Sequence, residues 1–212
     1  MNFLVDNINN FIENIIRNYN EDIEIDTALR DSISDAFKVM FGKPDTSIEL
    51  VNSIATLVRN DLDVGDAYYT KTDGEPTLKK FMVNEARLRQ ANESRGRMKN
   101  QIDELLGDLV GTAEICSNIR VTNIDSFSAL MDRLTTERIK RYNFLYKQNK
   151  KPEAAHQEIV IEAVLVKTKE LLVQILNENG YIFVGERRTF DESKLIEDVS
   201  QILKNINDYD KL

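Results

Sequence analysis

The sequence predicts an all-α protein, a multi-helix bundle of six or seven helices with one long or broken central helix. Three observations carry this. Apolar side chains recur every three to four positions through most of the chain, the period of one helix face. Only 8 Gly and 3 Pro occur in 212 residues, too few turn formers for a β-sandwich or barrel. Several periodic runs follow an Asp, Ser or Thr, whose side-chain oxygen accepts from an amide left unpaired at a helix start.

The first run, 3–19, sets Phe3, Leu4, Ile8, Phe11, Ile12, Ile15, Ile16 and Tyr19 on one face. A second helix, about 27–41, has Leu29, Ile33, Phe37 and Met40 as its inner positions. Asp26 suits its N-cap, and Gly42 suits the left-handed residue that ends it. A third, about 47–60, opens on Thr46-Ser-Ile-Glu49, a capping box in which the Thr and Glu side chains each satisfy an orphan amide. Residues 61–76 break the pattern with Asp61, Asp63, Gly65, Asp66, Asp73, Gly74 and Pro76. Such a stretch reads as a loop or boundary.

From Thr77 to about Ile119 nothing stops a helix firmly. Phe81, Leu88, Ile102 and Leu109 follow a heptad seam, with Met98 and Leu105 beside it and Arg95 interrupting it. A helix of that length would run about 60 Å. It must break near Gly96 or Gly107, or else pair with another helix. Ser126 suits the N-cap of a helix to about Gln148, carrying Phe127, Leu130, Leu134, Tyr142 and Leu145. A polar turn at 147–151 precedes Pro152, which suits the first position of the next helix, to about Asn179-Gly180. Tyr181-Ile-Phe-Val184 is compatible with one strand of a short β-hairpin near 181–188. Thr189-Phe-Asp-Glu192, a second capping box, opens a last helix through Leu195, Val199, Ile202 and Ile206. The organisation expected is an acidic helical region over 1–60, a boundary over 61–76 and a main bundle over 77–212.

Composition narrows the class. Hydrophobic residues at 42% provide for a core, and no apolar run approaches the roughly 20 residues of a membrane span. The single cysteine, Cys116, excludes an internal disulfide and fits a reducing compartment. Met-Asn-Phe-Leu-Val-Asp has no basic start of the secretory kind, so a cytoplasmic location is expected. The net charge of −8 is unevenly spread. Residues 1–75 carry 15 acids against 6 bases, 76–151 carry 9 against 15, and 152–212 carry 12 against 7. Either these charges complement one another within the fold, or the basic middle receives an acidic partner.

Chemistry finds little material. The sole histidine, His156, lies in the first turn of a helix, and no phosphate-binding glycine loop is present. The sequence assigns no catalytic residue, no metal ligand and no cofactor. Carboxylates are the one enzymatic option. The segment Asp103-Glu-Leu-Leu-Gly-Asp108 resembles the second metal element of the all-helical MazG-type nucleotide pyrophosphohydrolases. Those hold Mg²⁺ with Glu-x-x-Glu on one helix and Glu-x-x-Asp on the next, since hard cations take oxygen ligands and i,i+3 spacing shares a face. Here Glu104 and Asp108 are four apart, and Leu105 stands where that spacing needs Glu. Glu21-x-x-Glu24 has the spacing but lies before a helix.

The basic middle offers a surface instead. Arg87, Arg89, Arg95, Arg97 and Lys99 form one group. Arg133, Arg138, Lys140, Arg141, Lys147, Lys150 and Lys151 form another, interleaved with Tyr142, Phe144 and Tyr146. Bases beside aromatics can hold single-stranded nucleic acid, but aromatics at helical spacing also belong to a core. Arg138, Lys140 and Arg141 are the charges expected to face a partner.

Ser126-Phe-Ser-Ala-Leu-Met-Asp-Arg-Leu134, followed by Thr135-Thr-Glu-Arg-Ile-Lys140, resembles a signature of small helical proteins of bacteria and their phages. That signature is Ser-x-x-x-Leu-x-Asp-[Lys/Arg]-Leu-[Ser/Thr]. Asn92-Glu-Ser-Arg95 with Ile102-Asp-Glu-Leu105 resembles a second helix of the same set, although the two elements stand here in the reverse order. The resemblance implies a helical fold and supplies no reaction. Physically, Asp132 and Arg95 each put charge at the margin of an apolar seam, so a pair between them across two helices would satisfy both. The reading is a non-enzymatic helical interaction or assembly protein that binds a protein partner or itself. Mg-dependent nucleotide hydrolysis and nucleic-acid binding by the basic middle are the alternatives.

Overall fold

A computed structural model describes residues 1–19, 26–70, 78–110 and 125–178, with side chains from 1–19, 26–66, 83–110 and 125–177. Among them the chain is all helical: α1 (Asn2–Asn18), α2 (Thr27–Phe41), α3 (Pro44–Thr70), α4 (Leu78–Val110), α5 (Phe127–Tyr142) and α6 (Lys151–Glu178). A π-helical turn, Asn143–Lys147, links α5 to α6. The hairpin expected near 181–188, the last predicted helix and Cys116 lie outside the described residues.

Local signals explain most boundaries. Asp26 accepts from the Leu29 amide at 3.0 Å and opens α2. Gly42, at φ 76°, closes it by donating to the Lys38 carbonyl. The predicted capping box at Thr46 does not start α3. The helix begins two residues earlier at Pro44, whose fixed φ suits a first turn and whose missing N–H leaves no orphan there. Ser47 is buried and donates to the Lys43 carbonyl at 2.6 Å.

One expectation about length is corrected, and of the two courses expected for the central helix the paired, unbroken one is found. Residues 61–70 are not a loop, because α3 continues through them to Thr70. Helix α4 runs unbroken through Gly96 and Gly107, for about 50 Å at 1.5 Å per residue. Each length has the other as its cause. The two long helices pack side by side and antiparallel, with Arg95 against Asp61 and Gln101 against Glu49. That packing outweighs a glycine's local cost of about 1 kcal/mol.

The enclosed helix is α5. It buries Phe127, Leu130, Met131 and Leu134 on one side and Ser128, Asp132 and Thr135 on another. A single apolar core joins α1 to α6 around it, including Ile8, Phe11 and Ile12 from α1, Leu50, Ile54 and Leu57 from α3, and Ile102 and Leu106 from α4. Phe37 stacks edge-on against Phe127, locking α2 to the start of α5. The core crosses the boundary expected at 61–76. Phe3, expected on the inner face of α1, points out instead.

Candidate functional site

The polar groups inside the bundle fall into two clusters, both reached by α5. In the first, Arg95 from the middle of α4 grips Asp132 from the second turn of α5. Nε donates to Oδ1 at 2.6 Å and Nη2 to Oδ2 at 2.8 Å, the two-pronged geometry in which guanidinium and carboxylate fit best. Lys99, one turn along α4, donates to the same carboxylate at 3.3 Å. Arg95 Nε also lies 2.6 Å from Asp61 of α3. Two cations of α4 are thus held between an acid of α3 and an acid of α5.

Asp61 is the member the sequence reading placed in a loop. A signal for it exists: Leu50, Ile54 and Leu57 are buried at helical spacing, and Asp61 is the next position on that line. It is only 7% exposed, and its Oδ2 has no hydrogen-bond partner. Burial pushes its carboxyl up to about 8, and Asp132 adds to the rise, while Arg95 and Lys99 oppose it. Arg95 responds in its own way. Burial works against its charge, but Asp61 and Asp132 outweigh that and hold its pKa above the ordinary value.

The second cluster corrects the surface reading of Arg138. This residue lies on the inner line of α5 one turn past Leu134 and is 6% exposed. Its guanidinium donates to Asn9 of α1 at 2.9 Å and to Glu158 of α6 at 3.4 Å, and lies 3.9 Å from Glu13. Arg141 reaches the same two acids, Glu13 at 3.7 Å and Glu158 in close contact. Lys140 remains half exposed but is paired with Glu137 at 3.1 Å, and Arg133 approaches Glu137 from the other side at 2.9 Å. Glu137 itself is buried. Of the three charges expected to face a partner, two are consumed between helices and the third is held along its own helix. The basic middle is thereby neutralised in part by acids of the N-terminal and C-terminal thirds.

Asp103, in the segment that resembled a metal element, is buried and committed elsewhere. Oδ1 accepts from the Ser128 amide at 3.0 Å and Oδ2 from the Ser128 hydroxyl at 2.6 Å. With Ser126 accepting from Ala129 at 3.2 Å, it satisfies the orphan amides at the start of α5. Glu104 and Asp108 face solvent on the other side of α4. Glu21 and Glu24 lie outside the described residues. Among the described residues no three His, Cys, Asp or Glu side chains converge as a metal site would require. His156 is exposed on α6. On α4, Arg89 and Arg97 pair with Glu85 and Glu93 one turn back. A recess of about 20 Å³ between Tyr19, Asp66, Tyr142, Asn143 and Lys147 has room for one water molecule.

No family model, curated protein or solved structure matches the chain. Among the described residues no helix is long and apolar enough to cross a membrane.

Proposed function

We propose that this protein is a non-enzymatic helical assembly protein of the cytoplasm that associates with a second copy of itself. A bacterial or phage setting rests on the Ser126–Lys140 resemblance alone. The single observation that carries the association is an apolar end of the bundle. Asn7 of α1 donates to Ser32 of α2 at 3.1 Å, and the two-residue turn Gly42-Lys43 joins the end of α2 to the start of α3. There Phe3, Val39 and Ile48 are 67%, 84% and 44% exposed. Burying a side chain of this size stabilises by roughly 1.5–3 kcal/mol, so covering this end is favourable. Exposed Asp35, Lys38 and Asp45 nearby carry both signs. Two copies related by a two-fold axis can set Asp against Lys across such a surface.

The mass in solution tests this. Sedimentation should place the wild type at twice the 24.4 kDa chain mass. Phe3→Asp with Val39→Asp should return it to the single-chain mass with an unchanged helical dichroism spectrum. A wild type that sediments as a single chain ends the reading.

A further inference from the structure

Arg138, Lys140 and Arg141 are spent between or along helices, but three later bases of the middle region are not. Lys147, Lys150 and Lys151 are exposed, and their side chains make no ion pair among the described residues. They stand where the π turn ends and α6 begins. Residues 143–157 set these three lysines against a single acid, Glu153. The next acid, Glu158, is taken up by Arg138 and Arg141. Asp66 lines the recess beside Lys147, so Lys150 and Lys151 carry most of the excess charge.

The backbone holds this turn in one shape. The Gln148 amide donates to the Asn143 carbonyl at 2.9 Å, the Lys150 amide to the Phe144 carbonyl at 2.7 Å, and the Ala154 amide to the Lys150 carbonyl at 3.1 Å. Asn149 takes φ 51°, a left-handed position that Asn tolerates. The three ammonium groups therefore extend from a fixed base, and the fold does not relieve their mutual repulsion. A polyanion does.

Tyr146 decides which polyanion. It precedes Lys147 and is 63% exposed. Its ring leans on Tyr142, with 4.9 Å between centroids and 43° between planes, and leaves most of its surface in water. An acidic peptide or an anionic lipid surface would use the lysines alone. An unpaired base uses the ring as well, by stacking on it. We propose that the turn between α5 and α6 binds single-stranded nucleic acid, with Lys147, Lys150 and Lys151 on phosphates and Tyr146 against a base. Tyr19, at the end of α1, lines the same recess as Lys147, so the turn lies about 24 Å along α1 from Phe3. A second copy docked on the apolar end leaves this turn open.

Fluorescence anisotropy of a labelled oligothymidylate of about 12 nucleotides, titrated with the full chain, tests the proposal. Three phosphate contacts on a single strand should weaken binding about 20-fold between about 50 and about 200 mM salt. Lys150→Gln with Lys151→Gln should weaken it about tenfold at the lower salt and reduce that salt effect to about threefold. Lys167→Gln with Lys169→Gln removes the same charge about 24 Å further along α6, beyond the screening length of about 10 Å, and should change affinity less than about twofold. Tyr146→Ala should cost about tenfold and Tyr146→Phe should keep the wild-type affinity, since either aromatic ring stacks. No binding at the lower salt, equal losses in the two lysine pairs, or undiminished binding by Tyr146→Ala overturns the proposal. Equal affinity for a polyglutamate of the same length, or for phosphatidylserine vesicles, also overturns it, by identifying an acidic protein or a membrane surface as the partner. None of these variants touches Phe3 or Val39, so self-association at the apolar end stands or falls separately.

Discussion

Asp132 shows how one side chain can tie three helices. Its carboxylate takes two bonds from Arg95 and one from Lys99, and Arg95 holds Asp61 in turn. Removing it leaves two cations facing each other beside a buried acid. Loss of one partner from a fully buried pair costs about 3–5 kcal/mol. The side chains of Arg95 and Lys99 are about one-third exposed, so water recovers part of that. Asp132→Ala should therefore lower stability by about 2 kcal/mol in a denaturant titration. Asp125→Ala breaks only an exposed pair with Lys167 and should cost under about 1 kcal/mol. Equal small losses would remove the structural role of the pair. Asp61 adds a pH dependence. Its folded value, about 8, lies above the 3.8 of an unburied carboxyl. Below about pH 4 both folded and unfolded chains hold the proton, and the contribution is complete. As pH rises from there to about 8, the unfolded chain releases the proton first, so stability is lost. The denaturation midpoint of Asp61→Asn should accordingly gain on the wild type from about pH 5 to about pH 9. A constant difference between the two would show that no buried proton is held there.

At the scale of elements, the sequence is most readable where the deciding interaction is local. Asp26, Gly42 and Ser126 act on amides and carbonyls within one turn, so their positions alone announce the ends of α2 and the start of α5. The helix over 61–70 was not readable, and the sequence left open whether α4 breaks or pairs, because the causes of both are distant. Asp61 and Asp63 look like loop residues until Arg95 and Tyr19 reach them from other helices, the Tyr19 hydroxyl donating to Asp63. Gly96 is buried within packed α4, where tertiary contacts override its propensity. The site divides the same way. Arg95 drew attention because it interrupts an apolar line, and Asp132 because it stands at the margin of one. Arg138 interrupts one too, but its place amid a basic run suggested a surface. Its partners, Asn9, Glu13 and Glu158, are 129, 125 and 20 residues away in sequence, and no local pattern announces them.

On the scale of the whole molecule, the uneven charge of the sequence has a structural use. Acids from the first and last thirds close on bases of the middle: Glu13 of α1 and Glu158 of α6 meet at Arg138 and Arg141 of α5. The apolar core repeats that connection, since Ile12 of α1 and Leu134 of α5 belong to one continuous cluster and are both fully buried. An N-terminal region that shares its interior with the remainder has no core of its own to melt separately. Unfolding should therefore be a single cooperative transition, coincident by far-ultraviolet dichroism and by tyrosine fluorescence. Ile12→Ala and Leu134→Ala should each destabilise by about 2–5 kcal/mol, the range for deleting a buried aliphatic side chain. Each should move the whole transition to lower denaturant without splitting it. Two steps, with Ile12→Ala shifting one and Leu134→Ala the other, would instead restore the boundary that the polar residues of 61–76 suggest.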